Sequence, residues 1–254
     1  MLPRRALLTE TVLVLGVSLG ASAVWSVLSL IRKLSAPAPL SAQTTTMNSS
    51  VTPDRLWLDL AYQLAGIALA LVPVLLALHL LGRDRGATGM WAASRRVGLD
   101  LRAPAQNLAR GSALAAAIGI PGLGLYLLAR ALDLNTSIAA ANLADVWWAI
   151  PVLVLAAIQN AVLEEVVMVG YLFTRWRQVG WSPWVVIVTS ALVRGTYHLY
   201  QGFGGFVGNA AMGVLLGWYY TRTRRVMPLV IAHTLLDVVA FVGYAVLAPR
   251  VGWL

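Results

Sequence analysis

The chain has 254 residues, of which 59% are apolar and 11% are charged, with a formal net charge of +9. An ordinary soluble domain has roughly 45–50% apolar and about 25% charged residues, so this composition excludes a disordered chain, a collagen and a normal cytosolic enzyme. There is no cysteine, which removes disulfides, Cys-ligated zinc, iron–sulfur clusters and thiol catalysis, and the basic balance of so apolar a chain points to loops facing anionic lipid rather than to nucleic acid.

A membrane-spanning helix needs about 20 mostly apolar residues. Seven windows qualify in chain order: residues 6–31, 56–81, 108–132, 146–173, 184–200, 203–220 and 226–248. The expected fold is an all-α, polytopic transmembrane helix bundle of about seven spans. The first window follows Arg4 and Arg5, as a signal peptide would. Its apolar run exceeds the roughly 7–15 residues of a signal core, so it reads as an uncleaved anchor, although the Ala- and Pro-rich residues 35–42 could mimic a cleavage site. Residues 34–54 are polar and read as a flexible outer loop. Residues 83–110 mix arginines with Met90, Trp91, Val97, Leu99 and Leu101, the pattern of a short amphipathic helix on the inner surface. The chain thus divides into residues 1–135, with three spans, and residues 136–254, a four-span core.

Basic residues set the orientation. With the N-terminus inside, the inner segments carry thirteen arginines: Arg4, Arg5, Arg83, Arg85, Arg95, Arg96, Arg102, Arg110, Arg175, Arg177, Arg222, Arg224 and Arg225. The outer segments carry five cations, namely Arg32, Lys33, Arg55, Arg130 and Arg250. That bias supports an inside N-terminus and an outside C-terminus. Trp147, Trp148, Trp176, Trp181 and Trp184 suit interfacial belts. Short loops and the preference for Arg over Lys point to a prokaryotic plasma membrane.

Ionisable groups within spans cost about 2.5–3.5 kcal/mol each on insertion scales, and they mark function by default. The last four windows carry several. Glu164 and Glu165 lie in the fourth, Arg194 and His198 in the fifth, and His233 and Asp237 in the seventh. Residues four apart stack on one helix face. Arg194 with His198, His233 with Asp237, and Asn160 with Glu164 therefore each form a polar stripe on an apolar helix, and Asn209 in the sixth window could add another. These groups must face one another or water inside the bundle.

Their chemistry leaves alternatives open. Two adjacent carboxylates in an apolar pocket need a cation, and Arg194 can neutralise one of them. The other could act as a general base on water. Glu164, His198 and His233 could instead hold a divalent metal such as zinc, since two histidines, a glutamate and water form a common catalytic set. Without a metal, the histidines could hold the water and donate to an oxyanion. No His-Glu-x-x-His pattern occurs, against a soluble zinc protease, and the Gly-x-Ser-x-Gly run at residues 16–20 lies in the first window, apart from these groups, against a serine protease built on them. The same groups also fit a plain ion-pair network in a scaffold, a small transporter or a proton relay.

At these residues the chain resembles the CPBP family, which comprises the CAAX prenyl endopeptidases and the bacteriocin-processing enzymes, also called Abi. Glu164-Glu165 followed by Gly170-Tyr171-Leu172 resembles its first motif, Glu-Glu-x-x-x-Arg. Arg194-Gly-Thr-Tyr-His198 resembles its second, Phe-x-x-x-His, and His233-Thr-Leu-Leu-Asp237 its third, His-x-x-x-Asn or Asp. The resemblance covers about residues 146–245. Val169 stands where the family has arginine, and Arg194 where it has phenylalanine. A guanidinium moved to the neighbouring helix could serve the same glutamate, which makes the two departures one change.

The resemblance implies an intramembrane endopeptidase acting on a membrane-anchored or prenylated peptide. It implies Glu164 as the base on water, His198 as holder of that water, and His233 with Asp237 at the oxyanion, Asp237 most simply orienting the His233 ring. Glu165 would be structural, paired with Arg194. One geometric problem remains. At about 1.5 Å per residue, His198 lies far along its helix from Pro183 and His233 only a short way from Pro228. Tilt, a shortened fifth helix or re-entry near residues 202–208 must close that gap.

Overall fold

The computed structural model describes residues 2–84 and 89–248. Arg85 and Arg250 of the charge count lie outside the described residues. In chain order the elements are α1 (Arg4–Gly16), α2 (Leu19–Leu34), β1 (Thr44–Thr46), α3 (Leu56–Ala70), α4 (Val72–Leu81), α5 (Met90–Arg96), α6 (Pro104–Ala131), β2 (Ser137–Ala139), α7 (Ala149–Glu164), α8 (Leu172–Gln178), α9 (Pro183–Thr196), α10 (Phe203–Thr223) and α11 (Met227–Leu247). A π-helical segment, Glu165–Tyr171, joins α7 to α8.

Among the described residues, four helices are long and apolar enough to cross a membrane: Leu56–Leu81, Pro104–Ala131, Ala149–Gln178 and Met227–Leu247. A fifth is reached if the pair Arg4–Gly16 and Leu19–Leu34, bent by 55°, counts as one span. The window 6–31 is thus not one continuous helix. Its break falls at Ser18, whose backbone leaves helical angles (φ −143°, ψ −126°) and whose hydroxyl donates to the Val14 carbonyl. Helix α9 has only 14 residues, about 21 Å at 1.5 Å per residue and short of a hydrocarbon core of about 30 Å. Helix α10 has 21 residues, but its glycines and Asn209 dilute its apolar character. The fold is an apolar, almost wholly helical bundle, as the composition implies.

One end of the bundle is tied by Arg175, whose side chain is 0% exposed. Its Nε donates to Glu10 Oε1 (2.6 Å), its Nη1 to Asp84 Oδ1 (2.8 Å) and its Nη2 to the Leu80 carbonyl (2.8 Å). Tyr171 donates to the same Glu10 oxygen. The charge count placed this residue among the inner-segment cations. Acceptors from α1 and from the end of α4 instead surround the guanidinium, and its five fixed donors suit such a cluster. The short helix α5 lies at this end, with Trp91 and Leu101 exposed beside Arg95 and Arg96.

The other end carries the segment read as a flexible loop, and that reading is corrected. Strand β1 pairs in parallel with β2, Thr45 opposite Ile138, and further bridges join Ser49 to Asn142 and Asn135 to Gly202. Buried Lys33 at the end of α2 bonds Thr45 Oγ1 and the Tyr200 carbonyl. Thr45 and Thr136 share a hydrogen bond at 2.6 Å. An ordered cap therefore covers this end. Pairing across some 90 residues left no local signal, because the polar threonines that form it look like any solvated loop.

Glycines set the approach of α9 and α10. A Cβ on Gly213 would sit 2.9 Å from Ala191 Cα, and one on Gly195 would sit 2.8 Å from the Phe206 carbonyl. The Gly213–Gly217 spacing thus packs helices within this chain. It also leaves room for the Arg194 side chain, whose Cδ would lie 3.2 Å from that same added Cβ.

Candidate active site

Glu164 closes α7 and Glu165 opens the π-helical segment. Wider π turns are uncommon and often mark functional sites. Ser190 on α9 donates to the Met168 carbonyl of the π turn at 2.8 Å, which ties the turn to α9. Arg194 projects from the same α9 toward both glutamates. Its Nη2 lies 2.6 Å from Glu165 Oε1 and its Nη1 3.4 Å from Glu164 Oε2. Glu165 is 0% and Arg194 1% exposed. A carboxylate so buried needs such a partner, because stripping a lone charge of water costs several kcal/mol or more.

His233 on α11 completes the arrangement. Its Nδ1 lies 2.8 Å from Glu165 Oε1. A carboxylate only accepts, so Nδ1 carries the proton and Nε2 is left for other work. Asp237 Oδ1 is 3.7 Å from that Nε2, beyond a hydrogen bond. The His233 ring makes its direct hydrogen bond to Glu165, with Asp237 facing the other ring nitrogen at the longer distance. Asp237 also takes a long contact from Asn160 Nδ2, at 3.4 Å.

His198 follows the end of α9. Its Nδ1 lies 3.0 Å from the Arg194 carbonyl, so Nδ1 donates and Nε2 keeps its lone pair. Glu164, by contrast, has divided use. Its Oε2 accepts from the Tyr197 hydroxyl at 2.7 Å, and its Oε1 has no hydrogen-bond partner among the described residues. A cavity of about 750 Å³ is lined by Asn160, Glu164, His198, His233, Asp237 and, further along, Asn209. Helix α9 stops at Thr196, His198 sits in the turn beyond it, and both His198 and His233 line this cavity.

Residues 146–239 match the family model of the type II CAAX prenyl endopeptidase, Rce1-like. This segment is similar to that family. It contains Asn160, Glu164, Glu165, Arg194, His198, His233 and Asp237, and it leaves α1 to α6 outside. Neither a curated protein nor a solved structure matches the chain. The match and the apolar helices together point to a membrane protein.

The set expected to ligate a metal was Glu164, His198 and His233. Among the described residues, the acidic and histidine groups whose ligand atoms lie within 4.8 Å of one another are Glu164, Glu165 and His233. His198 is not among them, and Arg194 already touches both carboxylates.

Two residues that shape the site were missed by sequence reasoning. Tyr197, buried, donates to Glu164 and orients it. Lys33 was counted as an outer cation, yet it holds the Tyr200 carbonyl in the turn that bears His198. Ser26 accepts from the Tyr200 amide at 2.6 Å, and the Thr136 amide donates to the Gln201 carbonyl at 2.9 Å. Only three-dimensional proximity reveals these ties.

Proposed function

We propose that the protein is an intramembrane endopeptidase of CAAX type. It cleaves a peptide bond near the membrane, in a polypeptide held there by a lipid or hydrophobic tail. The observation that carries this reading is the unequal use of the two glutamates. Glu165 is fully buried and engaged by Arg194 and His233, whereas Glu164 offers Oε1 to a cavity large enough for a peptide segment.

In this reading Glu164 Oε1 takes a proton from a water held by His198 Nε2. The water oxygen bonds to the scissile carbonyl carbon. His233, held through Nδ1 by Glu165, acts as the imidazolium, so that its Nε2–H donates to the carbonyl oxygen as it gains charge, with Asp237 beside it. The C–N bond then breaks, and the proton on Glu164 passes to the leaving amine. Tyr197 and Arg194 hold Glu164 Oε2, so that Oε1 keeps one direction. Arg194 supplies the positive charge that two adjacent carboxylates require. A divalent metal held by Glu164, Glu165 and His233 would act as a Lewis acid on water, and it would compete with that guanidinium.

The wider reading follows the charge count. The chain passes the membrane seven times, with α9 and α10 as short inner passages shielded by their neighbours. The N-terminus faces the cytoplasm of a prokaryotic cell. The test is cleavage of a membrane-peptide library by purified protein, compared with Glu164→Ala and His233→Ala. Loss of cleavage in both variants supports the reading, and equal cleavage by all three removes it.

A further inference from the structure

Tyr200 lies two residues beyond His198, in the turn that ends at Gly202, and it lines the cavity. Nearly every part of it is held by the protein. Its amide donates to Ser26 Oγ at 2.6 Å, and its carbonyl accepts from Lys33. Its ring stacks beside the His198 ring, with centroids 6.2 Å apart and planes 25° from parallel. Its hydroxyl oxygen accepts from Gln201 Nε2 at 3.0 Å. The hydroxyl proton is the exception. Among the described residues its partner is the Met47 thioether at 3.8 Å, and a thioether is a weak acceptor. A buried tyrosine hydroxyl ordinarily finds a stronger one. Ser22 of α2 also lines the cavity, but a serine within a helix can return its proton to a carbonyl one turn back.

Resting on the endopeptidase reading, we propose that the Tyr200 hydroxyl is a substrate-binding donor, which takes a backbone carbonyl oxygen of the peptide in the cavity. A peptide entering among Ile118, Leu125, Met212, Leu236 and Phe241 loses water from its carbonyl groups, and each needs a donor when buried. A phenol suits this task, because its ring matches an apolar wall while its hydroxyl stays polar. Gln201 occupies one lone pair of that oxygen, and a donor fixed before binding loses little freedom on binding. His233 serves the scissile carbonyl in this reading, so Tyr200 takes the carbonyl of a neighbouring residue. That bond is the same in the ground state and the transition state, so its loss raises KM and leaves kcat nearly unchanged.

The test measures binding of a fluorescent, acyl-anchored apolar peptide to the full chain in nanodiscs. Anisotropy is read in a Glu164→Gln background, so that no cleavage intervenes. Tyr200→Phe keeps the ring and removes the hydroxyl, and it is expected to weaken binding about tenfold, the upper size of a net neutral hydrogen bond. The peptide is also made with each backbone carbonyl in turn replaced by a thioamide, a poorer acceptor. One replacement is expected to weaken binding about fivefold with Tyr200 present and to change it little with Tyr200→Phe, the non-additivity of a shared contact. Equal binding by Tyr200→Phe, thioamide losses that are the same in both proteins, or no binding at all overturns the proposal. If Tyr200→Phe does not fold, a scan in which no single thioamide weakens binding to the parent overturns it as well. Wild-type protein assayed for cleavage of the unmodified peptide separates the two readings. Hydroxyl-dependent binding without cleavage removes the endopeptidase and leaves the donor standing, whereas cleavage with binding indifferent to the hydroxyl removes the donor alone.

Discussion

The guanidinium of Arg194 meets the carboxylate of Glu165 at 2.6 Å, with neither side chain more than 1% exposed. The two residues come from neighbouring segments, α9 and the π turn after α7. The contact gives a physical basis for reading Val169 and Arg194 as one displaced charge. Arg194→Phe leaves a buried, uncompensated carboxylate, which costs about 3–5 kcal/mol. Thermal unfolding in detergent is expected to show that loss. Arg194→Phe with Val169→Arg is expected to recover part of it; a double variant no more stable than Arg194→Phe alone contradicts the displaced-charge reading.

Arg175 makes a separate, purely structural prediction. It clasps Glu10 and Asp84 far along the chain from the glutamate pair. Arg175→Leu is expected to destabilise the protein by about 3 kcal/mol, as for other broken buried pairs. Cleavage per folded molecule should stay near wild type, measured after unfolded protein is removed by size exclusion. A large fall in that specific activity would place Arg175 in the catalytic apparatus instead.

The positions of Arg175 and Lys33 show where the sequence stopped being informative. Glu164, Glu165, Arg194, His198 and His233 stood out because charges in apolar runs are costly and because spacings of four residues give shared helix faces. The cavity brings Glu164, His198 and His233 together, as those stripes required. Arg175 and Lys33 lay at window ends, where a cation normally reaches water, so nothing local set them apart. The β1–β2 pair joins segments some 90 residues apart, and the π turn at Glu165 arises from packing against α9. The shortness of α9 was similarly hidden, because the apolar run continues through Thr196 into the turn that carries His198.

Lys33 tests the role of that turn. It bonds the Tyr200 carbonyl from outside the Rce1-like segment. Lys33→Met removes a charge-assisted hydrogen bond worth about 1.5–3 kcal/mol. If the bond aims His198, kcat should fall about tenfold or more, corresponding to about 1.4 kcal/mol, with KM little changed. A rise in KM alone would assign Lys33 to the cap over the cavity rather than to the position of His198.

Arg194 also bears on metal dependence. Its contacts with both glutamates supply a positive charge at the place where a metal would supply one. Cleavage is therefore expected to survive exhaustive chelation, and purified active protein is expected to hold far less than one equivalent of zinc by elemental analysis. Stoichiometric metal whose removal abolishes activity, and whose return restores it, would show that Glu164, Glu165 and His233 act as ligands.

The most direct measurement is the single-turnover cleavage rate of one membrane-anchored peptide by wild type and by Glu164→Gln in the same lipid. Removing a general base lowers rates by about 10²–10⁴-fold. A fall in that range is expected, with unfolding temperature and peptide binding preserved and with Glu165→Gln distinguished by lost stability. A Glu164→Gln enzyme that cleaves at the wild-type rate would contradict the assignment of Glu164 as the residue that activates water.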